Sequence, residues 1–323
     1  MEKFAAISFP SIGFSCNPSP VIEIGSLQIH WYGVLIAMGL MLAVLYACGR
    51  CKQFGLHEDD LIDGVLCVVP FAVICARLYY CIFQWDHYAQ NPIEILYIWE
   101  GGLAIYGGVI GAAIGIIVFA KVKRDKVNLG AVLDITSLGF LIGQAVGRWG
   151  NFMNREAFGA ATDSFFRMGL YKQVLPSGDI IDSSVVHYYH PTFLYESAWN
   201  LCGFLLLHFL SKRRKFDGQI ALGYVAWYGL GRTWIEGLRM DSLYWGPIRV
   251  SQLLAAVSCF AAVGVLIVMM VRQPDPAKLF VNVKAARLAQ EEAAEATQSE
   301  EASETTETDA AEEVTAQEEV ADE

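Results

Sequence analysis

The sequence predicts an all-α polytopic membrane protein, with seven transmembrane helices and a small extracytoplasmic head between the fourth and the fifth. Three observations carry this expectation. The 323 residues are 54% hydrophobic and only 18% charged, and the mean hydropathy is positive. The apolar residues gather in long uncharged runs instead of alternating with polar ones, as they would on the half-buried elements of a soluble domain. Lys and Arg, finally, are concentrated in every second connection between those runs.

Taken in order, the chain begins with "MEKFAAISFPSIGFSCNPSP". This stretch has no continuous apolar core and is broken by prolines, so it reads as an extracytoplasmic segment over residues 1–20 and not as a cleavable signal. A membrane domain follows over 21–272. Its apolar runs are Trp31–Cys48, Gly64–Phe83, Gly101–Ala120, Leu129–Val146, Thr192–Leu210, Ile220–Ile235 and Val250–Val271. Each approaches the roughly 17–25 residues that cross a hydrocarbon core.

The connections orient them. "GRCKQFGLHEDD" holds two basic residues, "KVKRDK" four and "SKRRKFDG" four, whereas "QWDHYAQNPIE" has none. Basic loops favour the cytoplasm, so the odd-numbered connections lie inside and the N-terminus outside. The fourth connection, 151–191, is then external. Its "SGD", "DSS" and "VVHYY" predict a small head with turn and strand character.

The net charge of -11 comes from the end of the chain. From Glu291 onward there are 14 acidic residues and no Lys or Arg, which leaves 23 basic against 20 acidic residues before it. Residues 273–323 therefore read as a cytoplasmic, acidic and disordered tail, too poor in apolar residues to fold alone. The eight cysteines show neither zinc spacing nor a disulfide framework. No nucleic-acid-binding pattern is present, and no cofactor or metal site is expected.

Placed on this topology, polar residues from antiparallel helices collect at one side of the membrane. They are Tyr32 on helix 1, Arg77 on helix 2, Tyr106 on helix 3, Arg148 and Asn151 on helix 4, and Arg232, Glu236 and Arg239 on helix 6. On helix 4, Asp134, Ser137, Gln144 and Arg148 fall within an arc of about 80°. Gly139, Gly143 and Gly147 occupy the opposite face, where small residues allow close helix approach. On helix 6, Tyr224, Tyr228, Arg232, Glu236 and Arg239 share a second arc of about 120°. The plainer reading makes Arg232–Glu236 a pinning ion pair and Arg77 a snorkelling side chain. The sharper one has Arg77, Arg148 and Arg232 converging on an anion, because guanidinium groups bind phosphate as a donor fork. A phospholipid headgroup just inside the outer leaflet is the obvious resident. An anion transporter or a lipid binder without chemistry would use the same residues.

The motifs themselves resemble a family. "GRWGNFMNREAFG" is similar to the signature of the bacterial prolipoprotein diacylglyceryl transferases. "HWYG", "ARLYY", "WEGGLAIYGG", "HPTFLYE" and "YGLGRTWIEGLR" resemble the family's other blocks, in the same order, over about residues 20–272. The resemblance implies an enzyme of the bacterial cell membrane that moves the diacylglyceryl group of phosphatidylglycerol onto the lipobox cysteine of an exported prolipoprotein. Its products are a thioether and glycerol phosphate, and it is the first step of lipoprotein maturation. Carried over by position, the resemblance makes Arg148 and Arg232 phosphate contacts. It puts Asn151, Asn154, Glu156 and Gly159 in the signature, and Tyr32, Tyr228 and Glu236 around the substrates, to which the convergence of arginines adds Arg77. Some relatives have histidine where this chain has Tyr106, so the phenol is expected to orient substrate and Glu156 to be a candidate for the thiol proton.

Overall fold

A computed structural model describes residues 7–25, 27–98, 101–124, 126–171, 173–174, 180–181, 186–240, 244–245 and 248–294. Seven long helices organise them: α1 (Trp31–Arg50), α2 (Glu58–Phe83), α3 (Ile105–Val122), α4 (Leu129–Asn154), α5 (Thr192–Ser211), α6 (Gln219–Leu238) and α7 (Val250–Val271). Six of them are long and apolar enough to cross a membrane, the pattern of a polytopic membrane protein. The exception is α6, whose Arg232, Glu236 and four glycines lower its apolarity. Apolarity thus supports six crossings where seven were expected.

Helix ends depart from the apolar runs for local reasons. Glu58, Asp59 and Asp60 begin α2 ahead of its run, where carboxylates complement the positive end of the helix dipole. The Asn128 side chain caps α4 by accepting from Ala131 N at 3.2 Å. At its other end α4 continues through the signature to Asn154 and stops where Arg155 turns left-handed (φ 54°).

The centre of the bundle is α4, which packs on α1, α5 and α6 and more lightly on α3. Its glycine face admits α1: a Cβ at Gly39 would lie 3.2 Å from Gly143 Cα, and one at Gly139 3.3 Å from Ala43 Cβ. Gly147 has open space beside it. The other small-residue series, Gly107 and Gly111, seats α3 on α2, where an added Cβ would come within 2.5 Å of Cys75. Between α5 and α6 the indoles of Trp199 and Trp227 stack at 4.4 Å. Each donates to the other residue's carbonyl, at 3.0 and 2.9 Å. Gly231 and Gly203 make room for these rings.

Asp134, fully buried on the polar face of α4, accepts from the backbone N–H groups of Gly218, Ile220 and Ala221 at 2.8–3.0 Å. It satisfies donors that the first turn of α6 leaves without helical partners. A core of Phe54, Leu56, Ile135, Leu138 and Ile220 surrounds this end of the bundle. Residues 280–294, assigned above to a disordered tail, are helical and begin against that core. Phe280 N donates to Asp217 Oδ2 at 2.7 Å and Lys284 Nζ to the Gly55 carbonyl at 3.0 Å. Apolar Leu279 and Phe280 explain the docking, and the acidic residues from Glu295 onward lie outside the described ones.

At the opposite end, the all-α expectation gives way to a four-stranded antiparallel sheet. Its order is Phe14–Cys16, Ile7–Phe9, Met168–Leu170, His187–Tyr189, with Ile7 opposite Leu170 and Met168 opposite Tyr189. The N-terminal segment is therefore part of this sheet. Ile7, Phe158, Met168, Leu170 and Phe193 form a second core that glues the sheet to the start of α5.

Candidate active site

Where α4 leaves the bundle, its polar face meets α5 and α6. Gln144 Nε2 donates to the Tyr224 hydroxyl at 2.9 Å. One turn further on, Arg148 Nη2 lies 2.7 Å from Glu196 Oε2. Glu196, on α5, also takes Arg232 Nη1 at 3.4 Å and Arg239 Nη1 at 3.2 Å, both on its Oε1. One carboxylate thus gathers three arginines from two other segments. Arg232 Nη2 is 2.6 Å from Glu236 Oε2, close enough for an ion pair but not aligned as a hydrogen bond. Arg249 Nη1 donates to the Glu236 carbonyl.

The carboxylates are deeper than the cations. Side-chain exposure is 5% for Glu196 and 2% for Glu236, against 22% for Arg148 and 20% for Arg232. Removing one partner from so buried a pair typically costs about 3–5 kcal/mol, because a charge is left without compensation. Arg148 and Arg232 each carry more guanidinium N–H groups than these ion pairs engage. Donors of this kind at a cleft suit an anion.

The rest of the signature forms an arm from this hub. Arg148 Nη1 donates to Asn151 Oδ1 at 3.4 Å. Asn151 Nδ2 and Asn154 Nδ2 both donate to Glu156 Oε1, at 3.0 and 3.3 Å. Glu156 sits between two left-handed residues, Arg155 (φ 54°) and Ala157 (φ 56°). Left-handed backbone costs a non-glycine residue roughly 1–2 kcal/mol, and the surroundings hold it in place. The Arg155 guanidinium, buried, donates to Asn17 Oδ1 at 2.7 Å and to the Pro18 carbonyl at 2.8 Å. The Thr192 hydroxyl donates to the Ala157 carbonyl.

Gly159 closes the arm. Its N–H donates to the His190 carbonyl at 2.9 Å, and Ala160 N donates to the Leu238 carbonyl at 2.7 Å. A Cβ at Gly159 would stand 2.7 Å from His190 Cβ and 2.9 Å from Leu238 O. The strand can therefore pass between the start of α5 and the end of α6 only without a side chain there, and in passing it fixes Arg239 beside Glu196.

Residues 19–268 match the family model described as "Prolipoprotein diacylglyceryl transferase". The chain belongs to the prolipoprotein diacylglyceryl transferase family. Curated relatives named phosphatidylglycerol–prolipoprotein diacylglyceryl transferase agree. One from Limosilactobacillus reuteri is 46% identical over 248 residues, covering 76% of this chain and 88% of the relative. One from Lactiplantibacillus plantarum is 45% identical over 251 residues, covering 76% and 87%. One from Listeria monocytogenes serotype 4a is 42% identical over 257 residues, covering 79% and 91%.

In this member of the family, Arg148, Asn151, Asn154, Glu156, Arg232 and Glu236 form one connected polar array through Glu196. Tyr228 lines the cleft beside Arg232 and Glu196, and the Tyr32 ring packs over Gly150. Arg77 requires a correction. Its guanidinium donates to the carbonyls of Glu94, Ile95, Gly101 and Gly102 at 2.6–3.1 Å and lies over the Tyr88 ring. The convergence expected of Arg77, Arg148 and Arg232 is instead that of Arg148, Arg232 and Arg239. The "GG" before α3 serves Arg77: both glycines have positive φ, and a Cβ at Gly102 would meet Arg77 Nη1 at 2.4 Å. Tyr106, in the first turn of α3, is half-exposed and has no hydrogen-bond partner among the described residues.

Glu196 was not singled out in the sequence, although it is the hub. A glutamate inside the apolar run after "HPTFLY" was the available signal, since an unpaired carboxylate in a membrane segment is costly. His190 lies at the Gly159 passage. Its backbone brackets Gly159 and Ala160, its Nδ1 lies 3.3 Å from the Tyr195 hydroxyl, and burial pushes the imidazole below its usual value.

Proposed function

We propose that this chain transfers the diacylglyceryl group of phosphatidylglycerol to the lipobox cysteine thiol of exported prolipoproteins. The observation that carries the reading is the hub of Arg148, Arg232 and Arg239 on Glu196, in a helical bundle of this family. The cysteine sulfur attacks the glycerol carbon that bears the phosphodiester. The C–S bond forms as the C–O bond breaks, and glycerol phosphate departs with the electron pair. Arg148 and Arg232 neutralise the charge growing on the leaving oxygen, with donors already oriented by carboxylates. A thiol, with ordinary pKa about 8.5, must lose its proton to attack. Glu156 is the acceptor we favour, because both asparagines occupy Oε1 and leave Oε2 for the thiol. Asn151 and Asn154 position it, Gly159 and Glu236 hold the frame, and Tyr32, Tyr228 and Tyr106 contact the substrates.

In this reading α6 is the seventh crossing, enclosed by α5 and α7. The sheet and signature arm form an extracytoplasmic head at the outer face of the bacterial cytoplasmic membrane, where exported substrates arrive. Residues 1–20 are external, 21–272 are the catalytic domain and 273–323 are cytoplasmic. The purified chain, given phosphatidylglycerol and a lipobox peptide, should yield a diacylglyceryl thioether by mass spectrometry. Phosphate flux into proteoliposomes without thioether would identify a transporter, and lipid binding alone a non-catalytic binder.

A further inference from the structure

The cleft between α5 and α6 contains a polar side chain that the chemistry above leaves unused. Asn200 is 2% exposed and lines the same cleft as Glu196, Tyr228 and Arg232. No side chain or backbone group among the described residues hydrogen-bonds to its amide. Its polar atoms are not sealed off, so the amide opens onto the cleft and is free to bond a ligand there. Asn200 follows Glu196 by four residues, so it stands on the same face of α5, one turn or about 6 Å along the helix. In the antiparallel neighbour the matching step leads from Arg232 to Tyr228. The direction is away from the head and into the bundle.

A glycerophospholipid has polar groups at two depths. Its phosphate is the more superficial, and its acyl ester carbonyls lie a few bonds deeper, toward the hydrocarbon. With the phosphate at Arg148 and Arg232, the ester level falls where Asn200 waits. We propose that the Asn200 amide donates a hydrogen bond to an acyl ester carbonyl of the donor lipid, so that the site reads the ester linkage as well as the headgroup. The inference rests on phosphatidylglycerol being the donor, as proposed above.

The test compares two donors: diacyl phosphatidylglycerol and its dialkyl ether counterpart, which keeps the phosphate and chains but lacks both carbonyls. Wild type should use the diester with kcat/KM about tenfold higher, the scale of one buried hydrogen bond. Asn200→Leu is close in size and removes no hydrogen bond within the protein, so its thermal midpoint in detergent should equal or exceed wild type. It should lose about tenfold on the diester and little on the diether, bringing the ratio near one. An equal loss on both lipids would overturn the ester contact. So would a loss seen only in the peptide KM, which would instead assign Asn200 to a backbone carbonyl of the acceptor. An unchanged ester-to-ether ratio in a folded variant would overturn it as well. If wild type forms no thioether from either lipid, the donor assignment itself fails and the contact falls with it.

Discussion

At Glu196, removing the negative charge would leave Arg148, Arg232 and Arg239 repelling one another around one point. Glu196→Gln keeps the shape and should lower kcat/KM for peptide lipidation at least about 100-fold, roughly 2.7 kcal/mol on the barrier. Membrane insertion should persist, and near-wild-type turnover would show that the hub is only structural. Arg148→Lys and Arg232→Lys probe the other side of the same pairs. A lysine keeps the charge but loses the planar fork, so each should retain more activity than its alanine counterpart and still fall well below wild type. Equal rates for lysine and arginine would mean that a point charge suffices. Arg232 and Glu236 were legible in the sequence because they lie one turn apart on one helix, and Arg148 because it ends a polar arc. Glu196 was not, because its partners come from α4 and α6 and nothing on α5 announces them. Arg77 misled for the complementary reason: depth along a helix was readable, but the four carbonyls that occupy it belong to a short 3-10 helix and a glycine pair between α2 and α3.

Elements are placed here by a few close passages. Gly159→Ala would force its methyl against the His190 side chain and the Leu238 carbonyl, pushing apart the start of α5 and the end of α6. Arg239 would move away from Glu196. The variant should insert but lose at least about tenfold in activity and several degrees in thermal midpoint, measured in detergent. Unchanged values for both would mean that the passage is looser than its distances imply. The helices were legible because apolarity persists through whole turns, and the small-residue face of α4 because its spacing is helical. The sheet was only half visible. Strand character near "VVHYY" could be read locally, but Ile7 pairs with Leu170 across about half of the chain, and three-residue strands carry too little pattern to reveal such a partner.

For the molecule as a whole, the C-terminal boundary is informative. Residues beyond Ala294 are acidic and lack aromatics, whereas Leu279, Phe280 and Lys284 are anchored on the bundle. Ending the chain after Ala294 should leave lipidation within about twofold, below ~0.5 kcal/mol on the barrier. Ending it after Lys278 exposes the Phe54–Leu56 core and should lower the thermal midpoint clearly. Equal stability of the two truncations would remove the anchoring role. Composition revealed the acidic end but not the docked turn before it, because one apolar pair gains significance only from the pocket it fills. The reciprocal indoles of Trp199 and Trp227 act at this scale too. A slip of one helix past the other by a turn, about 5.4 Å, would break both hydrogen bonds together and drive each ring off the glycine that accommodates it. The α5–α6 pair must therefore travel as one piece, and a doorway wide enough for two acyl chains has to open along some other seam of the bundle.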